Sequence, residues 1–126
     1  MERILHVEDE EDIREVARVA LEAIGGFTVE SVESGRAALE RVGPFAPQVI
    51  LLDVMMPVMD GPMTLRELRN RPETANVPVI FMTAKVQAHE IEQYLKMGAL
   101  DVIPKPFDPM TLADQIRSIL ARSIAS

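Results

Sequence analysis

The chain has 126 residues, 48% hydrophobic and only 4% aromatic, enough for one domain with a core of Val, Ile, Leu, Ala and Met and no metal or disulfide staples. It has no cysteine, which excludes disulfides, thiolate metal sites and thiol catalysis and agrees with a reducing compartment. A net charge of -7 and an isoelectric point near 4.8 oppose direct binding to nucleic acid.

The opening Met1-Glu2-Arg3-Ile4-Leu5-His6 meets an acid at Glu8 before a signal-peptide apolar region can form. Residues 3–7 read as a short apolar strand. Ile13, Val16, Ala17, Ala20, Leu21 and Ile24 then recur at helical spacing until Gly25-Gly26, which predicts a first helix with those side chains inward. Residues 27–32 mix apolar and polar positions, as a strand at or near a sheet edge does. A second helix is expected from about Ser34 to Val42, stopped by Gly43-Pro44.

Val49 to Leu52 is apolar on both alternating sets of side chains, the pattern of a strand covered on both faces, and it ends on Asp53. Asp53 and Pro57 break the longest apolar stretch, so no segment reaches membrane-span length and the chain reads as soluble and cytoplasmic. Pro62 is placed as the first residue of a third helix, with Leu65 and Leu68 inward. After a loop over 72–78, Val79-Ile80-Phe81-Met82 is a fourth strand ending in Thr83-Ala84. Ile91, Tyr94 and Leu95 mark a fourth helix stopped by Gly98, and residues 100–103 form a fifth strand. Asp108-Pro109 opens a fifth helix as cap and first residue, with Leu112, Ile116, Ile119 and Leu120 inward and residues from about Ser123 fraying. Five strands alternating with five helices through right-handed crossovers predict an α/β domain, a doubly wound parallel sheet spanning 1–126 without linker or repeat.

Parallel strands bring their carboxyl ends to one edge, where open α/β sheets bind ligands. That edge collects Glu8-Asp9, Asp53, Thr83 and Lys105. Three carboxylates there repel, since unit charges ~4 Å apart interact by roughly 4 kcal/mol at an effective dielectric of about 20. Lys105 supplies one compensating charge, and a hard divalent cation bound through oxygens, Mg²⁺ being the economical choice, supplies the rest. A carboxylate beside Mg²⁺, an ammonium and a hydroxyl is equipped to accept a phosphoryl group. Asp53 would attack without a general base while metal and Lys105 hold the equatorial oxygens, leaving an aspartyl phosphate.

Each residue taken singly has a plainer explanation. Asp53 could cap its strand or begin a turn, and Glu8-Asp9 could serve the dipole of the following helix. Thr83 could be an ordinary strand residue and Lys105 a solvated surface one. His6 reads as a satisfied interior residue and His89 as surface. Met55, Met56, Met59 and Met63 read as packing, because thioethers suit soft metals and no Cys or His accompanies them. Coincidence of acid, Asp, hydroxyl and Lys on one edge favours the phosphoryl acceptor.

Glu8-Asp9, the run Asp53-Val54-Met55-Met56-Pro57-Val58-Met59-Asp60-Gly61, Thr83-Ala84, Gly98-Ala99-Leu100-Asp101 and Lys105-Pro106-Phe107 together resemble the receiver domain of bacterial two-component response regulators. The match spans nearly the whole chain in order. It implies a flavodoxin-like sheet of strand order 2-1-3-4-5, and a signalling switch that catalyses its own phosphorylation and dephosphorylation, as opposed to a conventional enzyme. It also implies that Asp53 takes phosphate from a histidine kinase or phosphotransfer protein. By the same resemblance Asp9, Asp53 and the backbone carbonyl of Met55 ligate Mg²⁺, with Glu8 assisting through water. Thr83 would bond one phosphoryl oxygen and shift on activation, and Lys105 would pair with another. The Lys105-Pro106 peptide is expected to be cis. A downstream protein target, and dimerisation through the fourth and fifth helices, are expected on the resemblance only.

Two positions depart from the family pattern. Glu8 stands where Asp is common, and Val102 where a Tyr or Phe usually rotates inward with the Thr. Val cannot swing as a ring does, so the expectation is that Thr83 moves while the signal passes through backbone shifts of the fourth helix and fifth strand. The rival readings are a pseudo-receiver acting as a phosphorylation-independent binding module, a haloacid-type phosphatase and a dinucleotide-binding protein. The phosphatase would need a second Asp where Met55 stands, and the last would need a Gly-rich turn after the first strand. A chain that stops after the fifth helix is either a stand-alone regulator or a receiver cut from a longer protein.

Overall fold

The apolar runs form five parallel strands, β1 (Arg3–Val7), β2 (Thr28–Val32), β3 (Val49–Asp53), β4 (Val79–Thr83) and β5 (Asp101–Pro104), in a computed structural model that describes residues 2–125. They pair in the order β2-β1-β3-β4-β5. Between them run α1 (Glu11–Val19, continued by a π turn over Ala20–Ile24), α2 (Gly35–Phe45), α3 (Gly61–Arg69) and α4 (Ala88–Lys96), and α5 (Leu112–Ala125) follows β5. This is the expected flavodoxin-like, doubly wound architecture.

Alternation along the strands divides the core into two layers. Leu5, Val7, Ile50, Leu52 and Phe81 pack with Ala38, Leu65, Leu68 and Tyr94 under α2, α3 and α4. Ile4, Leu51, Ile80, Met82 and Ile103 pack with Ala17, Leu21, Leu112 and Ile116 under α1 and α5. Every residue of β3 and β4 is buried, whereas β2 lies at the sheet edge and is half exposed. Burying each Leu, Ile or Phe stabilises by about 1.5–3 kcal/mol, so these two strands anchor the sheet from which the functional loops emerge.

Several sequence expectations are corrected by tertiary contacts. Val16 and Ile24 do not face inward but are 47% and 48% exposed. The Gly25 amide bonds back to the Ala20 carbonyl at 3.1 Å, a π turn that inserts one residue and rotates the end of the helix by roughly 100°. Ile24 is thereby turned to solvent, while Val16 lies on an apolar stripe wider than the sheet covers. Helix α2 continues past Gly43-Pro44 to Phe45, because Phe45 packs against the core and Arg3 Nε donates to the carbonyls of Phe45 and Ala46 at 3.2 and 2.8 Å.

Pro62 is the second helical residue of α3, since Asp60 provides the cap. Strand β5 is shifted by one residue, although the Leu100 amide already bonds to the Val79 carbonyl at 2.7 Å. Asp108 does cap through the Met110 amide at 2.9 Å, but the capped element is a turn, and α5 proper begins at Leu112. That helix runs to Ala125, with Ser126 outside the described residues. Leu95 is exposed, and Tyr94 is the one buried side chain of α4 among the described residues.

His6 is interior but not satisfied. Its two ring nitrogens, and the hydroxyl of Ser31 opposite it in register, find no partner among the described residues. Burial first, then the positive charges of Lys105 and Arg14, push its pKa down from 6.5 to about 4. The folded protein therefore keeps a neutral imidazole where the unfolded chain would take up a proton. That contribution is fully present above pH 6.5 and is lost as the pH falls toward 4, up to about 3 kcal/mol. In urea titrations across that window His6→Leu is expected to flatten the pH profile, and an undiminished slope would assign the acid sensitivity to other groups.

Candidate functional site

Parallel pairing delivers the ends of β1, β3, β4 and β5 to one edge. The Glu8 amide extends the β1–β2 ladder by bonding the Val32 carbonyl at 3.0 Å, which carries its carboxylate inward, fully buried. Arg14 braces the same turn from α1, with Nη1 donating to the carbonyls of Glu8 and Asp9 at 2.8 and 3.2 Å. Asp53 ends β3 and is 2% exposed. Lys105 Nζ donates to Glu8 Oε1 at 2.9 Å and to Asp53 Oδ1 at 3.0 Å, bridging residues 97 and 52 positions away. One carboxylate oxygen from each of Glu8, Asp9 and Asp53 lies within 4.8 Å of the others, with Asp9 the most open to solvent.

Burial raises the Asp53 carboxyl from its ordinary value; the hydrogen bond from Lys105 opposes that shift, and the charges of Asp9 and Glu10 add to it. Glu8 is raised for the same first reason, against hydrogen bonds from Lys105 and the Glu10 amide. Burial lowers the Lys105 ammonium, yet its bonds to Glu8 and Asp53 outweigh this and its pKa rises. Three carboxylates facing one ammonium leave a charge deficit at an all-oxygen cluster, a donor set suited to a hard divalent cation.

Not every sequence candidate meets in this cluster. Thr83 is buried at the end of the neighbouring strand, but its hydroxyl accepts the Lys85 amide at 3.0 Å. Met55 lies two residues beyond Asp53 with its side chain 61% exposed. The Lys105-Pro106 peptide is cis.

A family profile described as the response regulator receiver domain matches residues 4–117. The chain belongs to that family. It is 38% identical over 119 residues to the transcriptional regulatory protein CseB of Streptomyces coelicolor, covering 94% of this chain and 49% of that one. It is also 38% identical over 122 residues to the regulatory protein AtoC of Escherichia coli, covering 97% of this chain and 25% of that one. The chain thus spans about half the length of the first curated relatives, and less of AtoC. The structure of the chemotaxis response regulator CheY4 of Vibrio cholerae superposes with a TM-score of 0.88 at 28% identity, covering 94% of this chain and 98% of that one.

In this receiver domain the loop after Asp53 is shaped by two backbone constraints. Gly61 approaches the end of β3 so closely that a Cβ would lie 2.7 Å from the Asp53 carbonyl oxygen and 2.8 Å from Val54 Cα. Its amide bonds to the Val54 carbonyl at 2.9 Å, and Asp60 Oδ1 accepts the Met63 amide at 2.9 Å to start α3. Val58 sits at a φ of 67° and is 94% exposed, a left-handed conformation that costs a β-branched residue about 1–2 kcal/mol. Of the four methionines read as packing, Met56 is buried and Met59 lies against Gly35, but Met55 and Met63 are exposed.

Sequence reasoning missed Arg14 and the close approach of Gly61 to the end of β3. A lone arginine just behind Glu8-Asp9-Glu10-Glu11-Asp12 was the available signal for the first, and a glycine directly after a helix-capping Asp for the second. Gly61→Ala is expected to destabilise by about 1–3 kcal/mol through backbone overlap, and Val58→Gly to stabilise by up to about 1 kcal/mol through relief of strain. Urea midpoints should move in opposite directions; a shift of the same sign in both would refute this account of the loop.

Proposed function

We propose that Asp53 accepts a phosphoryl group from a histidine kinase or phosphotransfer protein in the presence of Mg²⁺, and that the phosphorylated form alters the binding of a downstream protein. The observation that supports this most is the charge deficit: buried Asp53 and Glu8 share one ammonium, with the Asp9 oxygen within 4.8 Å. Asp9, Asp53 and the Met55 carbonyl would hold the metal, with Glu8 acting through water. Bound there, Mg²⁺ would neutralise charge on the phosphoryl oxygens. Asp53 is the nucleophile, and needs no base because its carboxylate has no proton to give up. Lys105 already lies at hydrogen-bond distance from Asp53 Oδ1, so it can pass to a phosphoryl oxygen with little movement. Thr83 gives up the Lys85 amide and donates its hydroxyl to another. On this reading the domain is a switch, not a turnover enzyme.

The phosphodonor is read as docking beside α1. Ile13, Val16, Pro106 and Phe107 line an open apolar pocket of about 240 Å³ next to Lys105. A second of about 250 Å³ continues it past Val16 to Val19, Ile24 and Pro109. Exposed apolar surface flanking the reactive carboxylate suits a helical donor protein.

Incubation with acetyl phosphate and Mg²⁺ should add one phosphoryl group by intact mass, absent without metal and in Asp53→Asn. A modification that survives Asp53→Asn places the phosphoryl group elsewhere and sinks the reading, and none in the wild type sinks it in favour of a pseudo-receiver. Val16→Asp should slow transfer from a phosphotransfer protein at least about tenfold, which is ~1.4 kcal/mol, and leave the acetyl phosphate reaction unchanged; equal loss with both donors would contradict the docking assignment.

A further inference from the structure

Helix α4 rests on the sheet through few buried side chains. Of its nine residues Tyr94 is the one buried side chain among those described, 8% exposed, while Leu95 and the following Met97 are 44% and 48% exposed. The ring of Tyr94 meets Phe81 of β4 edge-on, with centroids 5.4 Å apart and planes at 85°. Phe81 and Thr83 are two residues apart on β4, so both side chains leave the same face of the sheet. Thr83 in turn holds the loop into α4 through the Lys85 amide at 3.0 Å. The register partner of Phe81 on β5 is Val102, which packs half-buried on the same cluster and brings no ring. The C-terminal end of α4 turns on Tyr94 too, since its carbonyl accepts the Met97 and Ala99 amides, each at 3.2 Å.

We propose that Tyr94 is the positioning residue that couples the phosphorylation state of Asp53 to the placement of α4. The proposal rests on the phosphoacceptor reading above. When the Thr83 hydroxyl turns toward a phosphoryl oxygen it releases the Lys85 amide, and the loop leading into α4 shifts. A helix held by one ring answers by pivoting about that ring, so Tyr94 slides along the edge of Phe81. The aromatic reporter that Val102 cannot provide on β5 is supplied from α4 instead.

Amide hydrogen exchange of residues 88–96 with Mg²⁺ and beryllofluoride, a phosphoryl mimic, tests this, with mimic occupancy read independently by fluorine NMR. In the wild type saturation is expected to change exchange in α4 by at least about fivefold. Tyr94→Phe, which keeps the ring, should retain that response. Tyr94→Leu should bind the mimic equally while its α4 exchange changes by less than about twofold. The wild type supplies a further readout, because Tyr94 is the single tyrosine and there is no tryptophan. Its near-ultraviolet circular dichroism should change when the mimic binds. A full α4 response in Tyr94→Leu, or a bound mimic with no change at the tyrosine band, overturns the coupling. Failure of the wild type to bind the mimic at all would overturn the phosphoacceptor reading itself.

Discussion

Lys105 reaches from the end of the last strand to carboxylates that follow the first and end the third, and the active edge is arranged around that bridge. Two acids this deeply buried would be strongly unfavourable as anions without a partner. The ammonium sits between them at 2.9 and 3.0 Å, and the backbone keeps it there, because the Lys105 amide is itself tied to the Thr83 carbonyl at 2.9 Å. One positive charge does not balance three nearby carboxylates. On the proposed function, a cation on the Asp9 side and a phosphoryl group on Asp53 would each redistribute the charge that Lys105 has to neutralise.

The scaffold divides rigid from compliant parts. Strands β3 and β4, buried on both faces, hold Asp53 and Thr83 at adjacent strand ends. Arg14 and Gly61 fix the approach of the two flanking loops, the first by bonding carbonyls and the second by leaving no room for a side chain. The helices are held unevenly. Against the two-layer core, α4 has a single buried ring, and α1 turns part of its apolar stripe outward through a π turn. Elements with few buried contacts open and shift at low cost, so parts near the chemistry can respond while the sheet stays put.

Much was legible in the sequence because local patterns have local causes. Val49-Ile50-Leu51-Leu52 has the pattern of a strand covered on both faces, and the acid after it falls at a strand end for that reason. The alternation of strands and helices has the same short-range origin. The α2 boundary was not legible, since Gly43-Pro44 is a stop signal locally and is overridden by Arg3 and the core contacts of Phe45. Nor was the outward face of Ile24, which depends on one inserted residue in a hydrogen-bond pattern. Tyr94 read only as one of three residues that mark its helix; that it alone is buried depends on how α4 lies on the sheet.

By itself the sequence determined the α/β order, the parallel sheet and the residue types gathered at its edge, because hydrophobic period and strand direction dictate them. Tertiary structure decided which of those residues touch. Lys105 bonds Glu8 and Asp53, while Thr83 is turned to its own loop. Contacts across 97 and 52 residues depend on register, loop geometry and charge balance among groups that no local pattern relates. For the same reason a Val on β5 and a Tyr on α4 become one packing question only after the chain has folded.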